Sequence, residues 1–373
     1  MNERRGIALL CTTRALGGIE LNVLRIASWL RARGHSCTVY GIENAPLVEH
    51  ASAAGIPVQA LEPVRRYGAF GAARRLAAQL RDRNERILFL NAPRDLNLGV
   101  LTKRFSRPPL RLIQFQHMQF GTDKRDPFHS WEYRHLDAWI APLPWLAGQV
   151  GTRTTFPRDR IHVLPFGIDI ERFMRKPSQN SARRQLQLPE RVFLCGTVGR
   201  FDHGKGQEYL LHTVASLKAS GWDVHALLVG EDTRGEEQAY GAYLRKLCSD
   251  LNIVDRVHFR PFLDAVETAY AAMDLFALTS ISETYGMVTI EAMASGLPII
   301  ATDSAGTPDI IENEKTGLLI PVRDVGALSD AIQRLLRNRD DAFRLGAAAS
   351  AEAARRFSHH TYCAGIEAVL DGL

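Results

Sequence analysis

The sequence predicts an α/β protein of two Rossmann-like domains, each a parallel sheet wrapped by crossover helices. Three observations carry this. Short apolar runs of strand length alternate from end to end with amphipathic stretches of helical period. The alternation breaks at Leu164-Pro165-Phe166-Gly167, which separates a first domain, residues 1–164, from a second, residues 165–357, with a helix at about 358–373 returning to the first. The chain has 373 residues, 46% hydrophobic and 23% charged, so it is long enough to bury two cores.

In the first domain the strand-like runs are Ile7–Cys11, Cys37–Tyr40, Val58–Ala60, Ile87–Leu90, Arg111–Phe115, Ala138–Ala141 and Ile161–Leu164. Amphipathic stretches such as Glu20–Arg33 and Ala69–Arg83 fill the crossovers. The N-terminal apolar run is short and soon meets Arg14, so it reads as a buried strand and not as a secretory leader. Gly17 and Gly18 follow it, but without the G-x-G-x-x-G spacing, which disfavours a nicotinamide dinucleotide. The run Leu112–Phe115 delivers His117 at a strand's carboxyl end, where α/β folds bind ligands. Residues 120–126 read as a mobile loop facing an acceptor, and Trp131, Trp139 and Trp145 as packing residues.

In the second domain the strand Arg191–Val198 ends in Gly199-Arg200-Phe201-Asp202-His203-Gly204-Lys205-Gly206, before a helix at Gln207–Ser220. Two cations on a glycine-rich turn near a helix start suit a diphosphate leaving group. Strands at Val224–Gly230 and within 256–262 flank a helix at Tyr240–Leu251. The buried run Asp274–Leu278 then feeds a loop with Glu283 and Gly286, and a helix from about Val288 that holds Glu291. That helix start favours an anion, and Gly286 lets backbone approach it. Glu291, about a turn inside, would repel phosphate but can accept from a vicinal diol such as ribose. A sugar, a diphosphate and a ribose in succession is the ligand this pattern fits. Residues 306–311 and 316–319 read as strand and turn scaffolding, and Ala327–Arg337 and Ala342–Phe357 as closing helices.

The net charge of +5 is unevenly spread: residues 1–164 hold 24 Lys and Arg against 13 Asp and Glu, and the remainder 22 against 28. The excess lies in Arg65, Arg66, Arg74, Arg75, Arg81, Arg83 and Arg86, then Lys103, Arg104, Arg107 and Arg111. Such a half suits an anionic membrane surface or a phosphorylated acceptor. No basic-aromatic interleaving points to nucleic acid. The five scattered cysteines lack metal-ligand spacing and read as buried hydrophobes in a reducing compartment, with no metal site. No apolar run reaches eighteen residues.

Glu283, seven residues and Glu291, followed by a small-residue helix and Gly296-Leu297-Pro298-Ile299, resemble the E-x7-E signature of retaining family 4 glycosyltransferases of the GT-B fold. Gly199-Arg200 with Lys205-Gly206 is similar to that family's Gly-Arg-x-x-x-x-Lys-Gly. Pro165-Phe166-Gly167-Ile168-Asp169 with Phe173 resembles its interdomain crossing. The resemblance implies two domains facing across a deep cleft, and metal-independent transfer of a hexose, with retention, from a UDP-sugar or GDP-sugar that serves as substrate, without a cofactor. Carried over by position, it implies catalytic roles for His117, Arg200, Lys205 and Glu283. It implies donor contacts at Gly17, Gly18, Val257, Phe259, Thr284, Tyr285, Gly286, Met287, Val288 and Glu291. Leu16-Gly17-Gly18 and Arg25-Ile26-Ala27-Ser28 resemble bacterial lipopolysaccharide core glycosyltransferases of the glucosyltransferase I type, whereas Thr284-Tyr285-Gly286-Met287 is the generic family form. A glycan or lipid-linked acceptor and a cytoplasmic enzyme, peripheral on the inner membrane face, follow as expectations. The alternatives are a UDP-sugar epimerase or phosphorylase of the same fold, or a non-catalytic glycan- or membrane-binding module. The intact Arg200, Lys205, Glu283 and Glu291 speak against the last.

Overall fold

A computed structural model describes residues 4–232 and 240–373. The chain divides into two compact units, residues 1–166 with 360–373 and residues 167–359. Unit 1 holds seven strands: β1 (Gly6–Cys11), β2 (Ser36–Ile42), β3 (Val58–Leu61), β4 (Ile87–Leu90), β5 (Arg111–Phe115), β6 (Ala138–Ala141) and β7 (Ile161–Val163). Among its described residues unit 2 holds six: β8 (Phe193–Val198), β9 (Val224–Val229), β10 (Val257–Arg260), β11 (Leu275–Leu278), β12 (Ile299–Thr302) and β13 (Leu318–Ile320). The central strands read as continuous apolar runs because both faces of each sheet are covered by helices.

Every strand pair is parallel, in the orders β3-β2-β1-β4-β5-β6-β7 and β10-β9-β8-β11-β12-β13. Each sheet starts in the middle, runs to one edge, then jumps back beside its first strand. The jump leaves a crevice beyond the carboxyl ends, between β1 and β4 in one unit and between β8 and β11 in the other. Chain connectivity therefore decides which loops can share a ligand: those after β8 and β11 are neighbours although some 80 residues apart.

The final helix, His359–Asp371, is tied into unit 1 through Glu367, which accepts from Arg33 Nε (2.7 Å) and Nη2 (2.6 Å) and lies 3.1 Å from His35 Nε2. These partners hold the Glu367 carboxyl down at about 2, Arg33 foremost. All five cysteines are buried and unpaired in disulfides. Burial pushes the thiols of Cys11, Cys37 and Cys363 up to about 12 and that of Cys248 to about 11, and Cys195 rises as well. Among the described residues no helix is long and apolar enough to cross a membrane.

Candidate functional site

The loops after β8 and β11 are stitched together atom by atom. Ile281 N donates to Gly204 O (2.8 Å), and Thr279 Oγ1 to Lys205 O (3.1 Å). Gly206 sits at φ +63°, and a Cβ there would meet Thr279 O at 2.3 Å, so glycine is required twice over. This approach sets Lys205 Nζ 2.7 Å from Glu283 Oε2, which also accepts from Ser280 Oγ at 3.1 Å. Glu283 is 7% exposed, and its carboxyl oxygen is fixed in place by these two donors. Arg200 lies exposed on the same turn, where its carbonyl accepts from Gln207 Nε2 (2.8 Å).

Gly286, at φ +74°, ends the loop and begins the helix Met287–Ala294, and no side chain caps that helix start. Thr284, Met287 and Val288 are half-buried around it, and Tyr285 is buried. Glu291 lies one turn inside, 8% exposed, accepting from Tyr270 Oη at 2.8 Å. That hydroxyl is 3.2 Å from Val288 O, so Tyr270 fixes both the helix and its carboxylate. Unit 2 thus brings Lys205, Glu283 and the open helix start of Gly286–Val288 to one switch point, with Glu291 a turn deeper.

Two expectations near β10 separate. Val257 lies at the amino end of the strand, packed into the unit 2 core, and this takes its side chain away from the ligand edge. Phe259 lines a pocket of about 390 Å³ at the other end, shared with Phe201, Arg245 and Arg260. The Arg245 guanidinium lies 4.2 Å from the centre of the Phe259 ring.

In unit 1, Gly17 caps the helix Gly18–Ala32 and its N–H donates to Glu20 Oε2 (2.8 Å). Neither glycine is demanded by the fold: Gly17 is extended, and a Cβ on Gly18 would meet nothing within 4 Å. A Cβ on Gly17 would make only ordinary contact with Glu20 Oε2, at 3.5 Å. His117 follows β5, its ring stacked on Phe166 at 4.9 Å. Burial lowers its pKa to about 3, so the imidazole stays neutral in the physiological range, and Nε2 has no hydrogen-bond partner among the described residues.

Residues 120–126, expected as a mobile loop, are anchored instead. Phe120 N donates to Gln149 Oε1 (2.9 Å), Arg153 Nη1 to Phe120 O (2.9 Å), and Lys124 N to Arg153 O (2.8 Å). Sequence reasoning also missed Asp95. Fully buried, it accepts from Thr12 N, Thr12 Oγ1 and Ala92 N, and so ties the loop after β1 to the loop after β4. Burial raises its carboxyl to about 6 against these donors. Among the described residues no group of three His, Cys, Asp or Glu is placed to hold a metal ion.

Two doubly wound parallel sheets with ligand loops at each switch point make this a GT-B glycosyltransferase fold. The Anabaena protein HepE, crystallised with UDP and glucose, superposes with a TM-score of 0.82 at 23% identity, over 99% of this chain and 100% of that one. Residues 178–352 match the family described as glycosyl transferases group 1, and residues 16–172 match the one described as glycosyltransferase family 4. A D-inositol 3-phosphate glycosyltransferase of Nocardia farcinica is 35% identical over 208 residues, 55% of this chain and 46% of that protein. The lipopolysaccharide core biosynthesis mannosyltransferase LpsB of Rhizobium meliloti is 29% identical over 64% of this chain and 67% of its own length. The chain spans about half the length of the first of these relatives.

Proposed function

We propose that this chain transfers a hexose from a nucleotide diphosphate sugar, a UDP-sugar foremost, to a hydroxyl of a bacterial envelope glycan such as the lipopolysaccharide core, with retention at the anomeric carbon and without a metal. The observation that carries the reading is the Lys205–Glu283 pair at 2.7 Å beside the open helix start at Gly286. A cation and a row of backbone N–H groups face one place, and a carboxylate is fixed beside them. In the transfer, the bond from the anomeric carbon to the phosphate oxygen breaks and a bond to the acceptor oxygen forms on the same face. The acceptor proton passes to the departing phosphate.

In this reading Lys205, Arg200 and the helix start neutralise charge on the leaving diphosphate, the largest contribution such a site can make. Glu283 accepts from the donor sugar hydroxyls and Glu291 from the ribose. His117, uncharged, hydrogen-bonds a sugar hydroxyl and can lie beside a developing oxocarbenium ion without repelling it. Gly18 leaves room for a ligand at the start of its helix, and Gly17 sits beside it at the N-cap. The HepE complex with UDP supports a uridine donor, and the LpsB likeness supports an envelope glycan acceptor. A peripheral place on an anionic membrane face is consistent with the basic residues 65–111.

Calorimetry with UDP, GDP and ADP tests the donor site. Transfer from UDP-sugars to envelope lipid extracts in the presence of EDTA, with the product anomer read by NMR, tests the chemistry. Failure of all three nucleotides to bind overturns the reading; an inverted anomer overturns the retaining step alone.

A further inference from the structure

The turn that carries Lys205 is held from two sides. On one side lie its hydrogen bonds with Thr279 and Ile281, in the loop after β11. On the other lies the helix Tyr240–Asp250. A Cβ on Gly241 would meet Asp232 Oδ2 at 2.8 Å and Phe201 Cδ2 at 3.1 Å, so this helix packs directly on the turn at Phe201. Gly241 N donates to Asp232 Oδ1 (2.6 Å), and Phe201 N to Glu231 O (2.8 Å), which closes the contact. Beside it, Tyr240 is 3% exposed, and its ring centre lies 4.2 Å from that of His203, with the planes inclined by 51°. Tyr243, a turn further along the helix, stacks on Tyr240 at 5.4 Å and lies 5.9 Å from His203.

Tyr240 reaches past the turn as well. Its hydroxyl donates to Glu208 Oε2 (3.3 Å), in the first turn of the helix Gln207–Ala219. His203 and Glu208 flank Lys205 in the sequence, so one tyrosine holds the chain both before and after the lysine. Inside the turn Lys205 N donates to Asp202 O (2.8 Å), Gly206 N to His203 O (3.2 Å) and Gly204 N to Asp202 Oδ1 (2.7 Å). A shift of His203 is therefore passed on to Lys205 by a turn too short to absorb it. Restraint is needed here, because three of the eight residues 199–206 are glycine and their backbone is the freest in the chain. His203 is itself exposed, so the core of unit 2 does not depend on its ring.

We infer that His203 is a positioning residue: stacked on Tyr240, it fixes the turn that aims the Lys205 ammonium, and it acts through that lysine and not on the nucleotide. This rests on the proposed role of Lys205 at the leaving diphosphate. The gain is one of preorganisation, since a turn already held in its binding conformation gives up less freedom when the ligand arrives. The strength of an aromatic pair limits that gain to about three- to tenfold in affinity.

The test is calorimetry with UDP and with uridine on the full chain, as wild type, His203→Ala, His203→Phe, Lys205→Ala and the His203→Ala/Lys205→Ala double variant. His203→Ala should weaken UDP about three- to tenfold and leave uridine unchanged. His203→Phe keeps a ring on Tyr240 but has no nitrogen to offer a phosphate, and it should bind UDP as wild type does. On the Lys205→Ala background, loss of His203 should make no further difference. UDP affinity unchanged in His203→Ala, uridine weakened in parallel with UDP, His203→Phe as weak as His203→Ala, or additive losses in the double variant would each overturn the inference. In all four cases UDP binding by wild type leaves the donor reading standing, whereas a wild type that binds no UDP removes that reading and the inference together.

Discussion

Lys205→Ala separates what the Lys205–Glu283 pair does for the fold from what it does for a nucleotide. The substitution removes the donor 2.7 Å from Glu283 Oε2 and leaves Ser280 Oγ at 3.1 Å as its remaining partner. With the lysine 31% and the glutamate 9% exposed at their side chains, the pair is neither a surface ion pair nor a fully dry one. A cost of about 1–2 kcal/mol lies between those limits. Adding Glu283→Gln removes the stranded carboxylate and should restore most of that stability. It should not restore function. A charge-assisted hydrogen bond to phosphate contributes about 1.5–3 kcal/mol, so Lys205→Ala should weaken UDP roughly ten- to a hundredfold. Turnover should fall about a hundredfold or more. Uridine, which lacks the phosphates, should bind both forms alike. Urea unfolding and calorimetry on wild type, both single variants and the double variant give the stabilities and affinities, and a transfer assay from UDP-sugars gives the turnover. UDP affinity unchanged in folded Lys205→Ala, or recovered in the double variant, would refute the assignment of Lys205 to the diphosphate.

Glu291→Gln keeps an oxygen for Tyr270 but loses the charge, so UDP should weaken about tenfold and its preference over 2′-deoxy-UDP should vanish in calorimetry. A retained preference would remove Glu291 from the ribose. Gly18→Val adds a side chain where nothing lies within 4 Å, so the melting temperature should move by only a few degrees while transfer is lost at least tenfold. Full activity would mean the space is not used. Asp95 offers a pH test. Its folded carboxyl at about 6 holds a proton more tightly than the ordinary value of 3.8, so it destabilises the fold as pH rises from about 4 to 6, by about 3 kcal/mol in all. Asp95→Asn should flatten that part of the stability curve, read from urea midpoints at pH 4, 5, 6 and 7; an unchanged slope would refute the assignment.

The strands and the two loops after β8 and β11 are legible because their signals are local. A parallel strand covered on both faces is a continuous apolar run, and Arg200 with Lys205, like Glu283 with Glu291, lies within one short segment. What escaped depends on distant partners. Asp95 meets Thr12 across 83 residues, and Tyr270 meets Glu291 across 21 from an alanine-rich stretch with no motif of its own. Trp139 reads as packing, and it does pack, against Phe120, Tyr133 and Phe156. The Val257 side chain packs into the unit 2 core, which an isolated strand segment does not reveal. Only the carboxyl end of β10, at Phe259 and Arg260, reaches a pocket. The helix Pro127–Tyr133, seven residues long, is too short for a 3.6-residue period to show.

The buried cysteines give each half its own clock. Thiolates are the species that alkylating reagents attack, and raised pKa values with no solvent access silence all five in the native chain. Cys11, Cys37 and Cys363 belong to unit 1, Cys195 and Cys248 to unit 2. Modification at each site, followed by peptide mass, therefore times the opening of one half independently of the other, without any introduced label.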